Sequence, residues 1–345
     1  PMTHYNLALL GFGNVGKSLL RLLQRKAPQL AADFDLTFSV TAIGTAHHGL
    51  VADPHGMDID HALRLAASGA RLEFLTSHPT PADAFELLHL SQADVLFENT
   101  PVDYHTGQPA LGYLRAALEL NMHAITANKG PVVHGYSQLT ALAAQVGRKF
   151  YFESAVMDGA PIFSLFRHAL PAADLRAFHG ILNSCTNLIL GRMEEGETLE
   201  QAIAYAQSIG ITETDPSGDV DGWDAAVKIA ALVTVLMGIP LLPAQVERQG
   251  IRHITPAEVA AARQAGQRWK LVCSARREGD IVHARVAPEL VTSASPLYGV
   301  EGTSSVVTFE TDVLTQLSIV EGNPGPDTTA YGLLADFINA ARGQL

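Results

Sequence analysis

Short apolar runs alternate with amphipathic stretches through the first half of the chain. Residues 7–10, 36–43, 94–97, 123–126 and 149–152 read as strands. Between them, residues 14–26, 111–120 and 136–146 read as helices; in the first, Val15, Leu19, Leu20, Leu22 and Leu23 mark the apolar face. Strand–helix–strand alternation with short connections predicts a parallel sheet covered on both faces. After Glu153 the alternation breaks. Helices are predicted at 187–193, 199–208 and 224–237, strands at 281–290, 305–309 and 314–320, and a last helix at 329–342 after the loop Gly322-Asn323-Pro324-Gly325-Pro326. This second part reads as α+β.

A length of 345 residues suits two domains, at roughly 150 residues per domain. With 47% hydrophobic and 17% charged residues the chain has the balance of a globular protein, which excludes disorder. A net charge of −12 argues against nucleic acid as a partner, because phosphate binding needs a basic surface. Two cysteines, Cys185 and Cys273, cannot build a disulfide framework and suggest a reducing compartment. No basic stretch and apolar run precede the first motif, so no signal peptide is expected. The greasiest stretch, 229–242, falls short of the about 20 residues of a membrane span and is broken by Gly238 and Pro240. A cytoplasmic protein with no membrane partner is expected.

Gly11-Phe12-Gly13-Asn14-Val15-Gly16 follows a predicted strand and opens a predicted helix. In a dinucleotide-binding turn the first Gly permits the tight bend, the second lets backbone approach a pyrophosphate, and the third lets helix and strand pack closely. The helix N-terminus then offers amides to the phosphates. Sites for NAD usually place a carboxylate at the end of the second strand, on the ribose 2′-hydroxyl. Here that strand ends Ala42-Ile43-Gly44-Thr45-Ala46-His47-His48, without one. This leans towards NADP, with Thr45, His47 or His48 near the 2′-phosphate, although no Arg is present and the two histidines read equally well as solvated loop residues.

The segment from Gly210 to Lys228 carries five carboxylates, Glu213, Asp215, Asp219, Asp221 and Asp224, in a Gly/Pro-rich loop entering a helix. Asp221 reads as its N-cap, Asp224 suits the first turn, and Asp224 and Lys228 share a face. The rest of that helix is apolar nearly all round, an unusual setting for a lysine. A polar-substrate site and a surface loop with an i, i+4 ion pair both fit. Lys129, in Asn128-Lys129-Gly130-Pro131, and Asn99-Thr100-Pro101 each follow a predicted strand at its carboxyl end, where open α/β sheets bind ligands.

Taken in order, these motifs resemble homoserine dehydrogenase. The resemblance runs nearly end to end, through Gly11–Gly16, Asp53-Pro54-His55-Gly56-Met57-Asp58, Asn99-Thr100-Pro101, Thr126-Ala127-Asn128-Lys129, residues 153–162, Gly180-Ile181-Leu182-Asn183, Asp215-Pro216 with Asp219, residues 222–228, Pro296-Leu297 with Gly302, and Pro324-Gly325 with Thr329-Ala330. It implies an α/β fold: a Rossmann dinucleotide-binding domain over 1–152, an α+β catalytic and dimerisation domain over 153–320, and a terminal segment, 321–345, returning to the first. It implies NAD(P)-dependent interconversion of L-homoserine and L-aspartate 4-semialdehyde, in threonine and methionine biosynthesis, by a homodimer.

As carried over, Lys228 is the acid/base, Asp224 orients the reacting group, and Lys129 sits between substrate and nicotinamide. Glu213 and Asp219 hold the substrate's amino end, with Cys185 at the substrate. The cofactor site comprises Gly11, Phe12, Gly13, Asn14, Val15, Gly16, Thr45, Thr100, Pro101, Lys129 and Gly325. A monovalent cation, expected to be sodium, is implied at Glu153, Val156, Asp158 and Ala160, mostly through carbonyl oxygens. The chain departs from the family pattern at Ser184 and Cys185, where Gly and a hydroxyl are usual, at Asp158, and at Ile211. Two further readings stay open: a dehydrogenase of another small semialdehyde or amino alcohol, and a dinucleotide sensor without catalysis, against which retention of Lys129 and Lys228 argues. The chain's end after the last helix leads us to expect no threonine feedback through an appended regulatory domain.

Overall fold

Leu7, Ala8, Leu9 and Leu10 are fully apolar and at most 2% exposed, so this strand needs cover on both faces. It sits at the centre of a sheet. The computed structural model describes residues 2–343 except Glu213. Strands β1 (Thr3–Leu10), β2 (Leu36–Thr45), β3 (Gly49–Ala52), β4 (Val95–Glu98), β5 (His123–Thr126) and β6 (Phe150–Tyr151) form the order β3-β2-β1-β4-β5-β6. All neighbours are parallel except the β2–β3 hairpin. The order reverses at β1, where β2 lies to one side and β4 to the other, and ligands of such sheets bind outside the carboxyl ends at that point.

The helix after β1 runs Asn14–Phe34, eight residues beyond its expected end at Lys26, with Pro28 inside it. Leu30 keeps its apolar stripe in the core, which outweighs the proline. The hairpin strand β3 and the helices Ile59–Ser68 and Ala84–Ser91 carry no sequence expectation; both helices begin at an aspartate, Asp58 and Asp83, that accepts from first-turn amides.

Two compact units result. The first comprises the chain up to Ile162 and resumes at Gly325; the second is Phe163–Pro324. Residues 153–162, expected in the second domain, are held in the first by the terminal helix Pro326–Ala341: the Glu153 amide donates to Asp336 at 2.7 Å, and Ser154 Oγ donates to the Thr329 carbonyl at 2.7 Å. Phe337 meets Tyr5 and Phe97 edge-on in the same core. Residues 321–324, expected with the terminal segment, stay with the second unit.

The second unit is built on a mixed sheet of β7 (Leu175–Ile181), β8 (Glu247–Arg248), β9 (Gln267–Glu278), β10 (Ile281–Thr292), β11 (Ser305–Thr311) and β12 (Leu317–Glu321), in the order β12-β11-β7-β9-β10-β8. Strand β9 has no counterpart in the sequence expectation because charged residues interrupt its apolar pattern. Two of them are buried and paired. Arg268 bonds Glu194 and Glu301, and Lys270 Nζ, on a residue 1% exposed, donates to Asn187 Oδ1 at 2.9 Å and the Val300 carbonyl at 2.5 Å.

Burial, with Arg268 beside it, lowers the Lys270 pKa to about 8. The folded protein therefore holds this proton more weakly than the unfolded chain, where lysine titrates near 10.4. The contribution is present above the unfolded pKa and is lost as pH falls through the folded one. We expect a wild-type Tm component that rises between about pH 8 and 10.4, and expect it to be missing from Lys270→Met, as read by thermal melts across that range. Parallel pH profiles for the two proteins would exclude Lys270 as the source.

Candidate active site

In the first unit the glycine turn has the features a dinucleotide requires. Gly11 holds φ +94°, and a Cβ there would collide with the Asn99 carbonyl. A Cβ on Gly16 would lie 2.6 Å from the Gly11 carbonyl, whereas one on Gly13 would meet nothing within 4 Å. The first and third glycines are thus demanded by packing, and the second leaves an open approach to backbone. Helix Asn14–Phe34 starts after Gly13 with no side-chain cap and no acidic residue in its first turn, which suits an anion. Phe12 is buried and Val15 half-buried, so these two anchor the turn to the core.

The turns after β4 and β5 are tied together by Glu98, which is fully buried. It accepts from the Thr100 amide at 2.7 Å, from the Thr100 hydroxyl, and from Thr126 Oγ1 at 2.7 Å. Burial raises its pKa, and these bonds pull against that shift. Asn128 donates to the Thr100 carbonyl at 3.2 Å and caps helix Lys129–Gln145 by accepting from Gly130. Thr100, Pro101 and Lys129 therefore occupy one sheet edge, next to the Asn99–Gly11 contact. The Asn99 side-chain amide is buried there, and neither its nitrogen nor its oxygen has a partner among the described residues. Buried amides are normally hydrogen-bonded, so this edge fits a polar ligand such as the dinucleotide.

At the end of β2, Thr45 Oγ1 accepts from the His47 amide at 3.2 Å, and the His48 ring bonds the Ala70 carbonyl at 3.0 Å. His48 is thus engaged, while His47 is exposed. Gly325 opens the terminal helix, and its amide donates to Thr328 Oγ1 at 2.8 Å. In the loop expected to hold a cation, Asp158 adopts φ +39° and accepts from Thr329 Oγ1 at 2.6 Å; Val156 and Ala160 are buried, and the Ala160 carbonyl accepts from Ile162 at 2.9 Å.

In the second unit the residues singled out in the carboxylate-rich segment meet on buried helix Trp223–Leu232 and its entry. Lys228 Nζ lies 3.2 Å from Asp224 Oδ2 and donates to the Leu182 carbonyl at 2.6 Å; the two side chains are only 15% and 12% exposed. Asn183 Nδ2 donates to Asp219 Oδ1 at 2.7 Å and to Asp224 Oδ2 at 3.0 Å. Its Oδ1 accepts from the Thr186 amide at 2.8 Å, which fixes the direction of the amide. Thr212 Oγ1 donates to Asp219 Oδ2 at 2.6 Å.

Burial and the neighbouring Asp224 raise the Asp219 pKa, against the pull of Thr212, Asn183 and Lys228. Cys185, in the first turn of helix Ser184–Glu194, is 3% exposed, and its pKa is pushed up by burial and by the Asp219 charge. It is a neutral thiol. Asp221 is not the helix cap: Gly222, at φ +80°, takes that place, and Asp221 pairs with Arg252. Glu213 lies outside the described residues. Asn183 and Thr212 carry no expected role, yet both bond the carboxylates; the N-cap position of Asn183, ahead of a helical pattern, is the sequence signal that points to it.

Comparison with known proteins covers both units. The family profile "Homoserine dehydrogenase" matches residues 161–338, and "Homoserine dehydrogenase, NAD binding domain" matches residues 11–153. The chain is 32% identical over 339 residues to an NAD(+)-dependent homoserine dehydrogenase of Pseudomonas canavaninivorans, covering 98% of this chain and 96% of that one. It is 33% identical over 335 residues to a homoserine dehydrogenase of Methanocaldococcus jannaschii, covering 97% and 98%. The crystal structure of a putative homoserine dehydrogenase from Archaeoglobus fulgidus matches with a TM-score of 0.85 at 29% identity, over 97% and 98% of the two chains. A hyperthermophilic archaeal homoserine dehydrogenase mutant in complex with NADPH matches with a TM-score of 0.83 at 28% identity, over 99% and 98%. The chain belongs to the homoserine dehydrogenase family and is an NAD(P)-dependent enzyme.

Proposed function

We propose that the enzyme interconverts L-homoserine and L-aspartate 4-semialdehyde with Lys228 as acid/base, and that NADP is the preferred cofactor. The observation that carries the reading is the Lys228–Asp224 pair on a buried helix, with Lys228 also bonded to the Leu182 carbonyl. The nicotinamide, when bound, supplies or accepts the hydride. In aldehyde reduction Lys228, as the ammonium, would meet charge developing on the substrate oxygen and give it a proton; in homoserine oxidation the neutral amine would take the hydroxyl proton as the hydride leaves. Asp224 holds that ammonium in place. Asp219 and Glu213 would take the substrate's ammonium, with the Cys185 thiol beside them as a neutral wall. Lys129 would add positive charge at the edge where Thr100, Pro101, Gly325 and the turn Gly11–Gly16 hold the dinucleotide.

The cofactor preference rests on the absence of a carboxylate from residues 42–48, with the Thr45 hydroxyl and exposed His47 available to a 2′-phosphate. A monovalent cation, expected to be sodium, at Glu153, Val156, Asp158 and Ala160 belongs to the same reading, since its donors are all oxygens, a chemistry that fits a hard cation. A cytoplasmic homodimer completes it. No helix among the described residues is long and apolar enough to cross a membrane.

Steady-state oxidation of homoserine with NADP and with NAD tests the reading. We expect turnover with both and a higher kcat/KM with NADP. Turnover of another amino alcohol but not of homoserine would replace the substrate, and cofactor binding without any turnover would remove the catalytic role.

A further inference from the structure

The first unit carries a second cluster of metal-ligating side chains, separate from the sheet edge and from residues 153–160. Asp53, in the loop after β3, and His55 two residues on meet His78, which follows the short 3-10 turn Leu72–Leu75. One ligand atom from each lies within 4.8 Å of the others. Asp53 Oδ1 is 3.3 Å from His55 Nδ1 and 3.6 Å from His78 Nε2. The imidazoles lie nearly parallel, with centroids 6.1 Å apart and planes at 14°.

These spacings are longer than the about 2.7–3.2 Å of an N–H···O bond. They match the about 3.4 Å between two donors that each sit about 2.0–2.1 Å from one tetrahedral ion. The carboxylate is held in advance. Asp53 donates its amide to the Thr41 carbonyl at 2.8 Å, Oδ2 accepts from Thr76 Oγ1 at 2.8 Å, and Oδ1 accepts from the His55 amide at 3.0 Å. Oδ1 is left facing both rings. Gly56, at φ +93°, makes the turn that follows His55. Two histidines are 85% and 46% exposed at the side chain, so an ion can enter from solvent and keep water in a remaining position.

We propose that Asp53, His55 and His78 form a binding site for a divalent transition ion of the Zn²⁺ type. Two imidazole nitrogens and one carboxylate oxygen favour such an ion over Mg²⁺ or Ca²⁺, which take oxygen donors. The ion cross-links the loop after β3 to the segment after residue 75. The chain just ahead of that segment braces the β2–β3 turn, through bonds from Leu72 to the His48 carbonyl at 2.8 Å and from the His48 ring to the Ala70 carbonyl at 3.0 Å. Its role is therefore structural, closing the chain between Asp53 and His78.

The test is calorimetric titration of the metal-stripped full chain with Zn²⁺, Co²⁺ absorption for the geometry, and thermal melts with and without Zn²⁺. We expect one ion per chain, a tetrahedral Co²⁺ spectrum and a Tm that rises with Zn²⁺. In His55→Ala/His78→Ala that ion, its spectrum and the Tm rise should all be lost. Each single variant should weaken binding by more than the roughly 10–100-fold that loss of an outer-shell partner costs. The exposed imidazoles make the metal-free Tm of these variants a check on folding, expected to equal that of the wild type. Binding only at millimolar Zn²⁺, or the same stoichiometry and affinity in the double variant, would overturn the site.

Discussion

Lys228→Ala is expected to lower kcat for homoserine oxidation by roughly 10²–10⁴-fold, the range that general acid–base groups supply. NAD(P) affinity should change little, because the glycine turn and the Asn99 edge belong to the other compact unit. The expected loss is electrostatic as well as protic. A Lys228 nitrogen 3.2 Å from Asp224 and bonded to the Leu182 carbonyl cannot swing into solvent, so it is in place to take the hydroxyl proton in oxidation and, as the ammonium, to stabilise the oxyanion in the reverse reaction. The substitution also leaves the Asp224 carboxylate, 12% exposed at the side chain, without its cation, so a modest fall in Tm is expected alongside.

Two controls separate these effects. Lys228→Arg keeps a cation near Asp224 but not an amine that readily releases its proton, and should recover Tm more than kcat. Added methylamine should restore part of the Lys228→Ala rate. Stopped-flow and steady-state measurements at fixed pH give kcat, KM and cofactor Kd separately. A kcat near wild type in Lys228→Ala would remove this residue from the chemistry.

The parts of this site that were legible in the sequence are those fixed by local chain geometry. Gly11 and Gly16 announce themselves because each answers a packing demand that the structure displays, and Gly13 because its spacing leaves backbone open to a ligand. Lys228 stood out because a charge on an apolar helix is expensive. The rest of the site depends on distant chain. Asn183 lies ahead of the helix predicted from residue 187, and nothing near it in sequence says that its amide reaches Asp219, 36 positions on, and Asp224, 41 positions on. Glu98 looks like a strand end until Thr100 and Thr126 close over it.

The fold follows the same division. In the parallel strands of the first sheet, residues 7–10 and 95–97 are apolar and buried on both faces and read directly. Strand β9 hides because Arg268 and Lys270 are buried through partners supplied by Glu194, Asn187, Val300 and Glu301. The placement of residues 153–162 likewise depends on Asp336 and Thr329, far along the chain.

Asp219→Asn should move activity and stability in opposite directions. Under the proposed reading Asp219 receives the substrate ammonium. Losing one partner of a buried charge pair costs about 2–5 kcal/mol, so kcat/KM for homoserine should fall by roughly 30-fold or more, mostly through KM. The fold, by contrast, gains. Burial and Asp224 raise the Asp219 pKa, so the native state binds this proton more tightly than the unfolded chain. Such a group contributes stability below its unfolded pKa, near 3.9, and loses it as pH rises through the folded value; at neutral pH the ionised carboxylate is a burden.

The amide variant removes that burden without stranding a neighbour. Its oxygen can still accept from Asn183 Nδ2, whose direction Thr186 fixes, and its NH₂ can donate to Thr212 once that hydroxyl turns to accept. Thermal melts of both proteins should therefore diverge as pH rises from 4 to 8, with Asp219→Asn the higher. A variant less stable than wild type at pH 8 would show that the carboxylate's bonds to Thr212 and Asn183 outweigh its burial, and an unchanged KM would take Asp219 out of the substrate site.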